Sequence, residues 1–295
     1  MTVPESEPTQ RKKHEGVPSE ALAALSEKAR ECILNVEKYP SWVPGRSFGK
    51  VKRAAVLVIL YERKSQPGLR VLMTTRSQQL RSHPGQSALP GGKVDSEDTS
   101  VEHTARREAY EETNFPLDPT HSTIFPLTTL EPFLSKYNLI VHPHVVFVSD
   151  ESTIDHLEAS PDEVDRIWEL PLESVLDLAF WGNQTEEARS KLSVKGEEDW
   201  LYEEDVYSTS DIPWLNDTIY RMHRFRTTET PIKGLSSDIL IETAVIAFGR
   251  EPSYDRFPSL QTRATWNVAI DKVVEESLEK GWDERRKLRE SLPQR

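Results

Sequence analysis

Cysteine is nearly absent from this sequence, since Cys32 is the only one in 295 residues. A single cysteine excludes an internal disulfide and a zinc site built from several cysteines, and it is typical of a reducing compartment. Long apolar runs are also lacking. The longest, AAVLVIL at 54–60, is far shorter than the roughly 20 residues that span a membrane, and the polar N-terminus has no secretory signal. We therefore expect an intracellular protein that does not insert into membranes.

Positive charge is in short supply as well. The chain has 37 Lys and Arg against 49 Asp and Glu, which gives a formal net charge of −12. Such a protein repels a nucleic-acid backbone unless a local basic patch overrides the net charge. The basic run at 11–13 is short and lies in a polar stretch, where such runs are usually solvated. We expect no nucleic-acid partner.

The length fits one domain with extensions. Residues 1–17 are polar and predict a disordered tail, and apolar residues at helical spacing then predict a helical extension over 18–48. The main domain is expected at 49–250, with an acidic, mobile insertion at about 182–215. Residues 251–295 are expected to form a C-terminal helical extension. Strand-like and helical patterns alternate within 49–250, which indicates a mixed α/β fold.

The strand signals begin with two apolar runs, 54–61 and 69–75, separated by the turn-forming sequence Gln66-Pro67-Gly68, and together they predict a β-hairpin. A loop rich in Gly and Pro follows at 82–92. Behind it, Thr99 or Ser100 can cap a helix that runs to about residue 113.

That helix carries three glutamates with a spacing that suggests chemistry. Glu108, Glu111 and Glu112 fall at i, i+3 and i+4, so their carboxylates share one helix face. The like charges repel, and the arrangement becomes favourable when a hard cation such as Mg²⁺ lies among the oxygens. Arg107 precedes Glu111 by four residues and can brace a carboxylate. In isolation the octapeptide ARREAYEE reads as a solvated helix face, but the preceding Leu89-Pro90-Gly91-Gly92 loop favours a phosphate or metal site.

Residues 91–115, GGKVDSEDTSVEHTARREAYEETNF, resemble the signature of the Nudix hydrolases, G-x5-E-x7-R-E-U-x-E-E-x-G-U, where U is a bulky apolar residue. The matching residues are Gly92, Arg107, Glu108, Glu111, Glu112 and Phe115. The sequence departs from the signature at Asp98, which replaces the first Glu, and at Asn114, which replaces the Gly. The spacing from Asp98 to Arg107 is also one residue longer. Asn114 can still end the helix, because Asn tolerates the left-handed conformation.

The first replacement and the longer spacing both occur in the coenzyme A diphosphatase branch of this family. That branch has a second signature of the form L-L-T-x-R-(S/A)-x3-R-x3-G-x3-F-P-G-G. Residues 72–92 read LMTTRSQQLRSHPGQSALPGG, and they match it in register at Leu72, Thr74, Arg76, Ser77, Arg81, Gly85, Pro90, Gly91 and Gly92. The chain therefore resembles this branch over roughly 50–250.

The resemblance implies an α/β/α sandwich around a mixed sheet, and hydrolysis of coenzyme A or a derivative to 3′,5′-ADP and 4′-phosphopantetheine. Mg²⁺ or Mn²⁺ would be held by Glu108, Glu111 and Glu112, assisted by the Gly92 carbonyl. Catalytic roles are expected for Glu108 or Glu112 as proton acceptor and for Arg107. Because the family has peroxisomal members, we expect the peroxisome or the cytoplasm.

An acidic protein needs local cations for a diphosphate, and Arg76 and Arg81 are the predicted phosphate contacts, with Gly91 beside them. His83 and Glu163 are weaker candidates, for substrate contact and for a further ligand or base. Two alternatives stay open. One is a Nudix hydrolase of another nucleoside diphosphate derivative, such as an oxidised nucleotide, NADH, ADP-ribose or capped RNA. The other is a non-catalytic, nucleotide-binding domain.

Overall fold

The computed structural model describes residues 16–43, 48, 51–215 and 218–291, with side chains up to residue 278. Its helices are α1 (Ser19–Ala23), α2 (Glu27–Lys38), α3 (Val101–Thr113), α4 (Glu151–Asp155), α5 (Glu186–Ser190), α6 (Leu235–Phe248) and α7 (Arg263–Ser291). Short 3-10 turns occur at Leu172–Val175 and Trp181–Asn183. Among the helices in these ranges, none combines the length and the apolar character needed to cross a bilayer.

The strands form two sheets. The larger contains β1 (Arg53–Arg63), β2 (Gln66–Arg76), β3 (Ser87–Ala88), β4 (Gly91–Lys93), β5 (Ile124–Thr129), β6 (Phe133–Leu134), β7 (Ile140–Val148) and β8 (Val164–Pro171). Its central order is β3-β2-β1-β7-β5, while β4 pairs with β1, β6 with β7 and β8 with β2. The β1–β7 pair is parallel and the others are antiparallel, so the sheet is mixed.

The sheet lies between helices, as the α/β/α expectation requires. Alternate residues of β1 pack on opposite faces: Leu57 and Ile59 contact the same cluster as Ala105 and Ala109 of α3. Val58 and Leu60, on the other face of the sheet, belong to a larger core that also includes residues of α2 and α6. The small alanine side chains let α3 approach β1 closely. The helix that the sequence predicted to carry the three glutamates therefore packs against the sheet.

The β1–β2 hairpin is confirmed, but its turn is not where the sequence suggested. The turn falls at residues 64–65, and Arg63 already pairs with Gln66. Gln66, Pro67 and Gly68 therefore begin β2. Pro67 is tolerated here because the first residues of a strand need fewer ladder hydrogen bonds.

Two N-terminal helices stand where one was expected. Ser26 interrupts the helical pattern, because its Oγ accepts a hydrogen bond from the Ala29 N–H and so caps α2. Ser26 also donates its own N–H to Glu62 of β1 at 2.7 Å, which ties the helical extension to the sheet. The predicted tail at 1–17 lies outside the described residues except for Gly16 and Val17. Val17 packs against the core, and its N–H donates to Glu37 Oε1 at 2.6 Å.

The acidic segment at 182–215 contains more regular structure than a mobile insertion would. Trp200 is fully buried and donates its Nε1–H to the Glu204 carbonyl, and β9 (Tyr207–Pro213) pairs with β10 (Ile219–Phe225). With β11 (Ile232–Lys233) these strands form an antiparallel sheet in the order β11-β10-β9. The acidity of the segment, averaged over its length, hid β9, which pairs with the next strand along the chain. The description of the segment as mobile stays a prediction.

Candidate active site

The loop before α3 approaches β1 so closely that only glycine fits. Gly91 has a φ of 153°, and a Cβ added to it would lie 2.6 Å from the Val56 Cα. Gly92 has an ordinary backbone conformation, but a Cβ there would lie 2.6 Å from Glu108 Oε1 and closer still to Oε2. The pairing of β4 with β1 fixes both positions. The Glu108 carboxylate therefore lies directly against the Gly92 backbone.

Helix α3 begins and ends as the sequence indicated. The Ser100 hydroxyl accepts a hydrogen bond from the His103 N–H at 3.0 Å, and Asn114 adopts a left-handed conformation with φ 57° and ψ 26°. The Asn114 N–H donates to the Tyr110 carbonyl. Asn114 therefore serves as the helix terminator that the family signature assigns to glycine.

Glu112 is a buried carboxyl, only 4% exposed. It accepts a hydrogen bond from the Gly91 N–H at 3.1 Å, and its Oε1 lies 3.7 Å from Arg76 Nη1. Burial raises the pKa of Glu112 to about 8, against the lowering effects of the Gly91 N–H and Arg76. Glu108 and Glu163 raise that pKa further by charge repulsion. The loop and the helix thus hold a carboxyl that can exchange a proton near neutral pH.

Glu108 shares this environment, whereas Glu111 does not. Burial raises the pKa of Glu108, opposed by Arg107 and reinforced by repulsion from Glu111 and Glu163. The Glu111 side chain is 47% exposed and is held by Arg107, whose Nη1 lies 3.0 Å from its Oε2. Two of the three predicted carboxylates therefore face the glycine loop, and the third faces Arg107.

Arg107 is the centre of a brace beside the carboxylates. Its guanidinium lies 3.0 Å from both Glu108 and Glu111, and it donates to the Lys93 carbonyl at 3.2 Å. Asp98 receives two further hydrogen bonds from it, at 2.9 and 3.0 Å. The Asp98 side chain is only 1% exposed, and the hydrogen bonds from Arg107 hold its pKa well below the usual range.

The importance of Asp98 was underestimated from the sequence, where it counted only as a departure from the signature. Its carboxylate also accepts from the Asp95 N–H and the Thr104 hydroxyl, both at 2.8 Å. The signal that could have found it was present: a carboxylate stands near the position of the first signature glutamate.

The two predicted phosphate contacts differ. Arg76 ends β2 and faces Glu112, with its side chain 25% exposed. Arg81 lies exposed in the following loop, and no carboxylate among the described residues lies within ion-pairing distance of it. His83, in the same loop, has a positive φ and its Nδ1 lies 3.2 Å from Gln86 Oε1. Arg76 thus belongs to the carboxylate cluster, and Arg81 remains available to a ligand.

Glu163 lies near the cluster, since its charge raises the pKa values of both Glu108 and Glu112. The backbone holds it there: the Ser160 N–H donates to the Glu112 carbonyl at 2.9 Å, and the Ser77 N–H donates to the Glu163 carbonyl at 2.9 Å. The weaker sequence candidate is therefore close to the predicted site, on an exposed loop.

A divalent cation fits this chemistry in part. Buried, mutually repelling carboxylates at Glu108 and Glu112 are hard oxygen donors whose ionisation a cation would favour. Within the described parts of the chain, however, no three His, Cys, Asp or Glu side chains are already gathered as a metal-binding group. Glu111 would have to turn from Arg107 to join the other two.

Comparison with known proteins identifies the family of this chain. The model of the NUDIX domain matches residues 51–189, which include the hairpin, the glycine loop and α3. Nudix hydrolase 22, chloroplastic, of Arabidopsis thaliana is 33% identical over 248 residues, which are 82% of this chain and 70% of that protein. The chain belongs to the Nudix hydrolase family.

Two further relatives extend the comparison. Nudix hydrolase 15, mitochondrial, of Arabidopsis thaliana is 35% identical over 70% of this chain, and the match spans 62% of that protein's length. The peroxisomal coenzyme A diphosphatase ndx-8 of Caenorhabditis elegans is 29% identical over 78% of this chain and 83% of that protein. The names of these relatives place them in different organelles, so the expected peroxisomal or cytoplasmic location stays a prediction.

Proposed function

We propose that this protein hydrolyses the diphosphate bond of coenzyme A or a derivative, releasing 3′,5′-ADP and 4′-phosphopantetheine. The observation that carries the proposal is the position of two carboxyl groups beside the glycine loop. Glu108 lies against Gly92, and Glu112 lies beside Gly91 and Arg76. The sequence supports the substrate, because the second signature at 72–92 supplies this loop and Arg76. The relative named as a coenzyme A diphosphatase supports it too.

The residues divide into three roles. Glu108, Glu111 and Glu112, with the Gly92 carbonyl, would hold Mg²⁺ or Mn²⁺. The cation would neutralise charge at the diphosphate and activate the attacking water. Either Glu108 or Glu112 would accept the proton of that water. Glu112 is the better candidate, because its carboxyl is the more buried of the two and is oriented by the Gly91 N–H.

Arg107 acts through the carboxylates. It is bound to Asp98, Glu108 and Glu111 at once, so its own hydrogen-bonding capacity is largely used within the protein. It would limit the rotamers of Glu108 and so fix the positions of its oxygens, whereas Glu111 would leave Arg107 on joining the cation. We therefore assign Arg107 as a positioning residue of the reaction.

Substrate identity is tested by offering the purified protein, with Mg²⁺, a panel of coenzyme A, ADP-ribose, NADH and 8-oxo-dGTP. We expect coenzyme A to have the highest kcat/KM and mass spectrometry to detect 4′-phosphopantetheine, because the product masses locate the cleaved bond. Tenfold better processing of another nucleotide would remove the coenzyme A assignment but leave the Nudix chemistry. No hydrolysis of any panel member would favour a binding role.

Replacing each of the two arginines with alanine should change the kinetic constants differently. Arg81→Ala should raise KM about tenfold, since the exposed guanidinium forms no ion pair among the described residues and is free to contact a substrate phosphate. Arg76→Ala should raise KM and also lower kcat about tenfold, because it removes the positive neighbour of Glu112. Lysine at either position should restore only part of the loss, since it lacks the bidentate fork. Steady-state kinetics of the four variants checks this, and equal kcat losses at both positions would contradict the assignment.

A further inference from the structure

The loop between β10 and β11, residues 226–231, contacts the strands that border the active site from outside the segment matched by the family model. Ser87 of β3 donates its hydroxyl to the Thr230 carbonyl at 2.6 Å, and the two hydroxyl oxygens lie 2.7 Å apart. Ser87 is 7% exposed, so this contact is largely removed from water. The smaller sheet is therefore attached to the strand that precedes Gly91 by only a few residues.

A second contact holds the same loop from the other side. Arg166 of β8 donates to both carboxylate oxygens of Glu229, at 2.8 and 2.6 Å. In the larger sheet, Thr75 of β2 pairs with Ser87 on one edge and with Arg166 on the other. The loop thus contacts both neighbours of Thr75, which is the residue next to Arg76.

The loop is itself stiffened by internal hydrogen bonds. Thr227 is fully buried, and its hydroxyl donates to the Thr230 carbonyl at 3.1 Å while accepting from the Glu229 N–H at 3.0 Å. The Ser193 N–H donates to the Thr227 carbonyl at 2.8 Å. Glu229 and Thr230 are thereby held in place before they meet the larger sheet.

The contacted strands carry the backbone that forms the active site. The Arg76 N–H donates to the Gln86 carbonyl, and the Gly85 N–H donates to the Arg76 carbonyl, both at 3.0 Å. Strands β2 and β3 thus set the start of the loop that ends in Gly91 and Gly92. Because Thr75 pairs with Ser87 and with Arg166, these residues form one row across strands β3, β2 and β8. Arg76, the residue after Thr75 in β2, faces Glu112. Loop 226–231 can therefore support the site from the opposite face of the sheet.

We propose that loop 226–231 is a positioning element of the active site, in which Thr230 and Glu229 hold β3 and β8 so that Arg76 and the glycine loop keep their places. Its kinetic consequence rests on the proposed hydrolase function. Its structural consequence, restricted motion of residues 82–92, does not.

The test compares a variant that weakens the contacts between the loop and the larger sheet with a control that weakens an ion pair within the smaller sheet. The double variant Ser87→Ala/Glu229→Gln releases the loop. Its matched control is Asp211→Asn, which weakens an Arg221–Asp211 pair with two 2.8 Å hydrogen bonds between β9 and β10, away from β3. Amide hydrogen exchange of peptides covering 82–92 and steady-state kinetics are measured for both, with Ser87→Thr as the conservative variant that keeps the hydroxyl.

We expect the double variant to exchange at least tenfold faster over 82–92, with kcat about tenfold lower and KM within twofold, whereas Asp211→Asn and Ser87→Thr behave as wild type. Unchanged exchange in the double variant would overturn the proposal. Equal acceleration in Asp211→Asn would overturn it as well, since general loosening would then be the cause, and so would faster exchange with unchanged kcat. If the wild-type protein cleaves no panel substrate, the proposed function fails, and the exchange comparison alone decides whether the loop holds residues 82–92.

Discussion

Glu112→Gln should abolish most of the activity while making the metal-free protein more stable at alkaline pH. Removing a proton acceptor or metal ligand should lower turnover by about a hundredfold or more. The gain in stability has a separate cause. The wild-type carboxyl is buried beside Glu108 and Glu163, and a buried charge that repels its neighbours costs folding free energy.

The pH dependence follows from the direction of the pKa shift. In the folded protein the pKa of Glu112 is raised to about 8 from its ordinary value of 4.5. Between these values the folded state holds a proton that the unfolded state has released, so the free energy of unfolding falls as the pH rises from 4.5 to 8. Glutamine does not ionise, and the variant should lack this loss. Above pH 8 we expect it to be about 1 to 4 kcal/mol more stable than wild type.

The measurements are turnover with Mg²⁺, and chemical denaturation at pH 5.5 and pH 9 in the presence of a chelator. Mg²⁺ should raise the thermal midpoint of the wild type at pH 9 and have a smaller effect on the variant. Glu97→Gln, at an exposed position of the nearby loop, is the control for the same chemical change and should alter neither property. Near wild-type turnover in Glu112→Gln would show that this carboxylate takes no part in the reaction.

The sequence predicted the ends of helix α3 well because their determinants are local. Ser100 and Asn114 each act within a few residues of their own position, so the start and the end of α3 are visible in the sequence. The order of the glycine loop and the helix along the chain also brings their backbones together. Family membership followed from the two signatures at 72–92 and 91–115, and the resemblance implied the mixed sheet between helices. Both are confirmed.

The remaining features depend on contacts between residues far apart in the sequence. Nothing near Glu229 indicates that it pairs with Arg166, 63 residues earlier. Arg76 was assigned to substrate phosphates alone, although β2 also directs it towards Glu112. Pairing of this kind is set by tertiary structure. Strand β9 was missed for a different reason, because composition averaged over 182–215 hid the strand at 207–213.

Gly92→Ala should inactivate the protein without unfolding it. The added methyl group would occupy the space in which the Glu108 carboxylate lies, and that carboxylate is the flexible end of a long side chain that can move away. A displacement of about 1 Å at a catalytic centre can cost about a hundredfold in rate. We expect a loss of that size in kcat, with a thermal midpoint within a few degrees of wild type.

The neighbouring Gly91 should respond differently. A Cβ at Gly91 would overlap the backbone of β1, at Ala55 and Val56, and its φ of 153° disfavours any side chain. Paired strands cannot move apart without losing hydrogen bonds. Gly91→Ala should therefore lower the free energy of unfolding by about 3 kcal/mol or more and reduce the yield of folded protein. Gly182→Ala, where a Cβ would meet no atom within 4 Å, should be neutral and serves as the control.

The comparison of the three alanine variants separates catalytic geometry from folding. Each is characterised by thermal denaturation and by kcat with the substrate that the panel identifies. The expected order is wild-type stability with lost activity for Gly92→Ala, lost stability for Gly91→Ala, and no change for Gly182→Ala. Because the Gly92 methyl group acts only through the position of Glu108, retention of more than half the wild-type kcat in a folded Gly92→Ala protein would mean that the Glu108 carboxylate does not need its place against the glycine loop for the reaction.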